Sequence, residues 1–182
     1  MARGEALFDT CAPCHGADGG GNRDLGAPAI AGLPRWYVQG QLDKFQAGIR
    51  GAHPDDLEGL RMRPMAVSLN HDGDVSSVAE YVTTLAPAPS GSEVVGDAGA
   101  GARAYGVCVA CHGPEARGNE LLGAPPLVAA DDWYLLAQLR KFRAGMRGAD
   151  PRDTWGATMR PNAVVLDEQS MRDVLAYIRT LR

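Results

Sequence analysis

The chain has 182 residues, 45% apolar and 22% charged, with 22 acidic against 18 basic side chains. Such values fit a globular protein of one or two domains and exclude a disordered or fibrous chain. A formal charge of −4 gives no basic footprint for nucleic acid and no polybasic stretch for anionic lipid, and no apolar run approaches the ~18–20 residues of a spanning helix.

The first residues, Met1-Ala-Arg-Gly-Glu5, lack the apolar core of a secretory signal. A short helix is expected from about Gly4 into Cys11-Ala-Pro-Cys14-His15. Residues 16–34 are rich in Gly and Pro and read as loop. Trp36, Leu42, Phe45 and Ile49 then fall on one helical stripe, and Val75, Val78, Ala79, Val82 and Leu85 on another. Alternating Pro, then Gly and Ser, from Ala86 to Ser92 and on towards Gly101 mark a linker. A second short helix is expected from about Ala102 into Cys108-Val-Ala-Cys111-His112, followed by a loop over 113–132. Leu135, Leu139, Phe142 and Met146 make a third stripe. Met171, Val174, Leu175, Ile178 and Leu181 make a fourth, with Asp167 placed as its N-cap. No segment alternates with the period of a strand, so the expected class is all-α, three or four helices per copy with much loop.

The second half repeats the first. At an offset of 97 residues the chain matches itself without a gap from Gly4 to Leu69, with about half of the aligned positions identical. Leu25-Gly-Ala-Pro28 meets Leu122-Gly-Ala-Pro125, Trp36-Tyr37 meets Trp133-Tyr134, and Met62-Arg-Pro64 meets Met159-Arg-Pro161. One residue is then lost, and Tyr81 meets Tyr177. Two copies with a long period read as two like domains, not a solenoid. The expected boundaries are 1–88 and 101–182, joined by a linker over 89–100. Domains this small bury proportionally little surface, and each copy has few large apolar residues, so something else apolar is expected to fill its centre.

Every cysteine in the chain lies in a Cys-x-x-Cys-His motif. Cysteines three apart on a helix share a face with the histidine that follows. Covalent haem uses all three: the thiols add to vinyl groups and the imidazole ligates iron. A redox dithiol uses only the cysteines and normally sits beside a strand. Zinc needs four ligands, and a zinc site drawing on both pairs would not call for methionines at matching positions. A disulfide within each pair is the remaining structural reading. The doubled motif with matched methionines favours haem. Thioether sulfur suits haem iron as the sixth ligand. Met62 and Met159 correspond across the repeat, each 47 residues beyond its histidine. Met65 faces Asn162, Met146 faces Ile49, and Met171 lies on an apolar stripe where methionine is packing. The expected axial ligands are therefore His15 with Met62 and His112 with Met159.

In these motifs, in their order and in their duplication, the chain resembles the dihaem class I cytochromes c, most closely the cytochrome c4 type, over nearly its whole length. It departs from that pattern in Trp36 and Trp133, which precede the tyrosines, and in the Arg-Gly-Ala-His/Asp-Pro loops. The resemblance implies two tandem class I cytochrome c domains and two haem c groups, attached through Cys11, Cys14, Cys108 and Cys111. It implies that the Pro28 and Pro125 carbonyls accept the Nδ1–H of the ligating histidines. It offers Tyr37, Tyr134, Gln41 and Gln138 as groups that bond a propionate, reach the opposite domain, or only cap loops. Arg50, Arg147, Arg63 and Arg160 are offered as propionate partners, a solvated surface arginine being the plainer reading. His53 and His71 have no repeat partner able to ligate and are expected in exposed loops. The implied role is one-electron transfer without catalysis. It would run between a periplasmic or membrane-bound donor and a terminal oxidase or reductase, with an export leader ahead of this chain. A cytochrome subunit docked permanently on a dehydrogenase or oxidase, and a haem enzyme, are the rivals.

Overall fold

The computed structural model describes residues 1–87 and 93–182. The chain divides between residues 89 and 90 into two compact units. Among the described residues there is no strand, only the isolated bridges Asn22–Ala27 and Asn119–Ala124, and no helix is long and apolar enough to cross a membrane.

The first unit contains α1 (Ala2–Phe8), α2 (Ala12–His15), α3 (Arg35–Gln46), α4 (Leu57–Val67) and α5 (Asp74–Thr84). The helix expected to run from Gly4 into the motif is thus two pieces, broken at residues 9–11. The stripes on α3 and α5 close over one core of Phe8, Leu42, Phe45, Ala66, Leu69, Val78 and Val82. α1 crosses α5 closely because Gly4 has no side chain: a Cβ there would lie 2.2 Å from the Ser77 carbonyl oxygen. Phe8 and Tyr81 fill the space beyond, ring centroids 5.3 Å apart. Arg3 reaches from α1 to the buried Asp74 at the start of α5, its Nε donating at 2.8 Å.

The second unit repeats this order. α6 (Ala98–Ala104) runs through a 3-10 turn (Tyr105–Val107) into α7 (Val109–His112). A 3-10 turn (Glu120–Leu122) interrupts the loop before α8 (Asp132–Arg143), α9 (Thr154–Val164) and α10 (Glu168–Arg179). Its core holds Tyr105, Leu135, Leu136, Leu166, Val174, Leu175, Ile178 and the fully buried Met171, so Met171 is packing as the stripe predicts. Gly101 repeats the close helix crossing, a Cβ falling 1.9 Å from the Asp173 carbonyl oxygen. Asp167 caps α10 by accepting from Ser170 N at 2.7 Å.

Two features differ from expectation. The methionine-bearing segments are full helices, α4 and α9, each with a proline inside it, Pro64 and Pro161. Both start on a buried aspartate, Asp56 or Asp153, whose carboxylate accepts from the backbone N–H three residues on at 3.0 Å. Second, the later part of the expected linker is anchored. Glu93 N and Val94 N donate to Asp132 at 2.9 and 3.0 Å, Asp97 N donates to Asp173 at 2.8 Å, and Val94 is buried. Residues 88–92 of that segment lie outside the described residues.

Candidate functional site

Each Cys-x-x-Cys-His motif forms one four-residue turn of helix. Cys11 and Cys108 stand at the N-caps of α2 and α7, and His15 and His112 end them, each histidine N–H bonded to the first cysteine's carbonyl at 2.9 Å. The four thiols are free, so neither pair is a disulfide. Burial, then the neighbouring cysteine, raises Cys11 and Cys108 to about 11. A redox dithiol needs the opposite, an attacking thiol of lowered pKa. Among the described residues no cluster of three or more His, Cys, Asp or Glu side chains is placed to hold a metal ion.

Both imidazoles are buried, 8% and 6% exposed. His15 Nδ1 bonds the Pro28 carbonyl at 2.8 Å and His112 Nδ1 bonds the Pro125 carbonyl at 2.9 Å. A carbonyl only accepts, so Nδ1 carries the proton and Nε2 keeps its lone pair. Burial lowers both histidines' pKa, the proline carbonyl opposing it, so the ring is held neutral, as a metal ligand must be. Local structure fixes the carbonyl. Asn22 and Ala27 exchange backbone hydrogen bonds at 2.7 and 2.9 Å just before Pro28; Asn119 and Ala124 do so at 2.7 and 3.0 Å before Pro125. Gly21 and Gly118 press on the same peptides with φ of +86° and +82°. A Cβ on Gly21 would meet Pro28 C at 2.7 Å, and one on Gly118 would meet Pro125 C at 2.6 Å.

Met62 is partly buried against the first core, whereas Met65 is 39% exposed. Met159 occupies the matching, partly buried position on α9, and Met146 is also partly buried. Sequence reasoning left Arg50 and Arg147 between propionate partner and solvated surface. Both are in fact buried, 6% exposed. Each donates Nη1 to a glutamine, Gln41 at 2.7 Å and Gln138 at 2.9 Å, and stacks 4.4 Å over Phe45 or Phe142. The signal that reveals this is the identical spacing Gln41–Phe45–Arg50 and Gln138–Phe142–Arg147. Tyr37 and Tyr134 meet Trp36 and Trp133 edge-on, at 5.7 and 6.1 Å. Arg63 and Arg160 are exposed. His71 is exposed and His53 partly so, its Nδ1 accepting from Asp55 N at 3.2 Å.

Each unit thus presents paired reduced thiols and an adjacent neutral imidazole with Nε2 available, groups that suit haem c, together with a partly buried thioether on a capped helix. The chain matches the family described as Cytochrome c over residues 1–86 and 98–182, and it belongs to that family. The two attachment motifs define two haem c groups, and the class is that of electron-transfer cytochromes. Among known proteins it is 38% identical to the thiosulfate dehydrogenase electron acceptor of Stutzerimonas stutzeri, over 80% of this chain and 68% of that one. It is 38% identical to the Cbb3-type cytochrome c oxidase subunit CcoP of Rubrivivax gelatinosus, over 70% of this chain but 38% of that longer protein. The crystal structure of reduced cytochrome c4 from Pseudomonas stutzeri superposes with a TM-score of 0.76 at 29% identity, covering 100% of this chain and 98% of that one. The expectation of an all-α pair of cytochrome c domains of the cytochrome c4 type is thereby met.

Proposed function

We propose that the chain is a one-electron carrier between a periplasmic or membrane-bound dehydrogenase and a terminal oxidase or reductase, and not itself an enzyme. The observation that carries this reading is the doubling of one ligand geometry: in both units a buried histidine is held by a proline carbonyl, with a partly buried methionine 47 residues further on. Bound haem c supplies a one-electron iron couple. Cys11 and Cys14, and Cys108 and Cys111, would form the thioether links to it. His15 with Met62, and His112 with Met159, would be the protein ligands to the two irons. Pro28 and Pro125 fix the imidazole tautomer and raise its basicity. Two protein ligands to each iron would leave no position open to substrate. The two one-haem domains are 1–88 and 101–182, with the anchored residues 93–100 belonging to the second. Attachment outside the cytoplasm, following export, is the expected route.

The named role of the S. stutzeri relative points to a thiosulfate dehydrogenase as the donor to test first. Oxidised holoprotein mixed with thiosulfate alone stays oxidised, and becomes reduced when a catalytic amount of thiosulfate dehydrogenase is added. Reduction by thiosulfate alone would make the chain an enzyme. A second reading, a subunit docked permanently on an oxidase, is favoured by the likeness to CcoP. Gentle extraction of native membranes separates the two: the carrier is released free, whereas a subunit stays with oxidase activity.

A further inference from the structure

We propose that a cluster of three arginines at the α8–α10 corner of the second domain is a docking surface for the acidic face of a redox partner protein. Arg140 donates through Nε to Glu168 Oε2 at 3.1 Å and through Nη2 to Oε1. Arg143 Nη2 lies 3.5 Å from Glu168 Oε2, and Arg172 Nη2 lies 3.3 Å from Oε1. Three guanidinium groups thus share one carboxylate. Asp167 adds a second negative charge beside them, leaving the corner at +1. The arginine side chains are 36–45% exposed, so the charge faces solvent on an open surface and not inside a pocket shaped for a small anion.

The internal repeat separates what the fold needs from what has been added. Arg140 and Arg143 match Asp43 and Gln46, while Glu168 and Arg172 match Asp72 and Ser76 at the offset of 96 that holds in the last helix. In the first domain the Gln46 amide ties the end of the methionine-bearing helix down, donating to Ala66 O at 2.9 Å and Leu69 O at 2.8 Å. In the second, Arg143 Nη1 donates to Leu166 O, the equivalent of Leu69, at 3.3 Å. A neutral amide therefore serves the packing as well as a guanidinium does. The same corner of the first domain carries Asp43 and Asp72, and the nearby Arg3 is matched by the buried Asp74 it bonds. With Lys44 and Lys141 matched and cancelling, it stands at −2 where the second domain has +1. The local charge is reversed on an unchanged backbone plan, and a reversal the fold does not require is what selective recognition of an oppositely charged surface uses.

The corner is also tied to the methionine-bearing helix: Leu166, which Arg143 contacts, lies two residues beyond α9, the helix of Met159. The partner's redox role rests on the function proposed above; the docking chemistry does not.

Decaglutamate, titrated into isotope-labelled, reduced holoprotein at low salt and followed by NMR, is a direct probe. We expect shifts concentrated at residues 140–143 and 166–172. The Arg140→Gln/Arg143→Gln/Arg172→Gln variant should bind the peptide at least tenfold more weakly. Glu168→Gln, which removes the shared carboxylate, should bind it more tightly. Arg117→Gln, which alters an exposed arginine paired locally with Glu115, should bind as wild type. Binding should fade as salt shortens the screening length from ~30 Å at 0.01 M to ~8 Å at 0.15 M. Unchanged affinity in the triple variant, weaker binding by Glu168→Gln, or shifts centred on the first domain would each overturn the proposal. So would a salt-sensitive dimer in sedimentation that the triple variant abolishes, because the occupant would then be a second copy. An unaltered haem spectrum in every variant shows that a negative result concerns docking and not the cytochrome reading.

Discussion

Placing a methyl group on Gly118 tests whether the Pro125 carbonyl tunes His112, the proposed iron ligand. Gly118 has φ of +82°, and its added Cβ would lie 2.5 Å from Ala124 O and 2.6 Å from Pro125 C and Pro126 N. Gly113 is the control: its φ is +76°, but nothing lies within 4 Å of its Cβ position. Gly113→Ala meets only the cost of its own glycine-type backbone, φ +76° with ψ +165°, about 1–3 kcal/mol. Gly118→Ala adds overpacking, about 1–3 kcal/mol more. Restoring van der Waals distance requires the Pro125–Pro126 peptide to move by about 0.8 Å, given contacts of 2.6 Å against an ordinary 3.4 Å. Directed along the bond, that stretches the His112 Nδ1–Pro125 contact from 2.9 Å to about 3.7 Å, outside hydrogen-bond range. The imidazole then becomes a weaker donor to iron, and the oxidised state loses stabilisation. A hydrogen bond of about 1 kcal/mol corresponds to a rise of about 40 mV, since 59 mV is tenfold in a one-electron equilibrium. Denaturant unfolding and potentiometric titration of the two holoproteins provide the readouts. Equal stability and equal potential in Gly118→Ala and Gly113→Ala would refute the reasoning.

Met62→Ala removes the methionine–iron charge-transfer absorption of one haem while Met65→Ala retains it; near-infrared spectra of the oxidised variants decide, and the reverse result moves ligation to Met65. Arg3, first, and the His71 backbone N–H hold the Asp74 carboxyl below the usual carboxylate range, so this contact stabilises the fold above about pH 4 and is lost as the pH falls through the lower folded-state value. Arg3→Gln is accordingly less stable than wild type at neutral pH, and the difference closes in acid unfolding curves; a gap independent of pH contradicts the assignment. Residues 1–90 carry 7 basic and 11 acidic side chains and residues 91–182 carry 11 of each, so the second haem is expected to have the higher potential, by tens of millivolts because exposed charges are screened beyond ~8–10 Å. Titration of Met62→His and Met159→His assigns the two midpoints, and a higher remaining midpoint in the Met159 variant rules out domain charge as the determinant.

Much of the site was legible because its residues are close in sequence or repeated. The motifs put thiols and imidazole on one turn, the 97-residue offset favours Met62 over Met65 as the proposed ligand, and Asp167 announced α10. The helices α4 and α9 were not legible. Each holds a proline inside it, Pro64 or Pro161, which opposes a helix, and the Asp56 and Asp153 caps act on glycines that carry no pattern of their own. The burial of Arg50 and Arg147 was hidden because a single arginine reads as solvated; only its shared spacing with Gln and Phe points inward. The anchoring of residues 93–97 was beyond local reading, since its partners Asp132 and Asp173 lie 38 to 76 residues away. Local signals therefore defined the chemistry, and long-range hydrogen bonds defined what packs around it.

The most direct test of the account is a count of methionine–iron bonds in the oxidised holoprotein, by near-infrared magnetic circular dichroism referenced to covalently bound haem. The account predicts two such signatures for two haems per chain. One signature would contradict methionine ligation in both domains, and a high-spin spectrum at either haem would leave an iron open to substrate and contradict the assignment of this chain as an electron carrier.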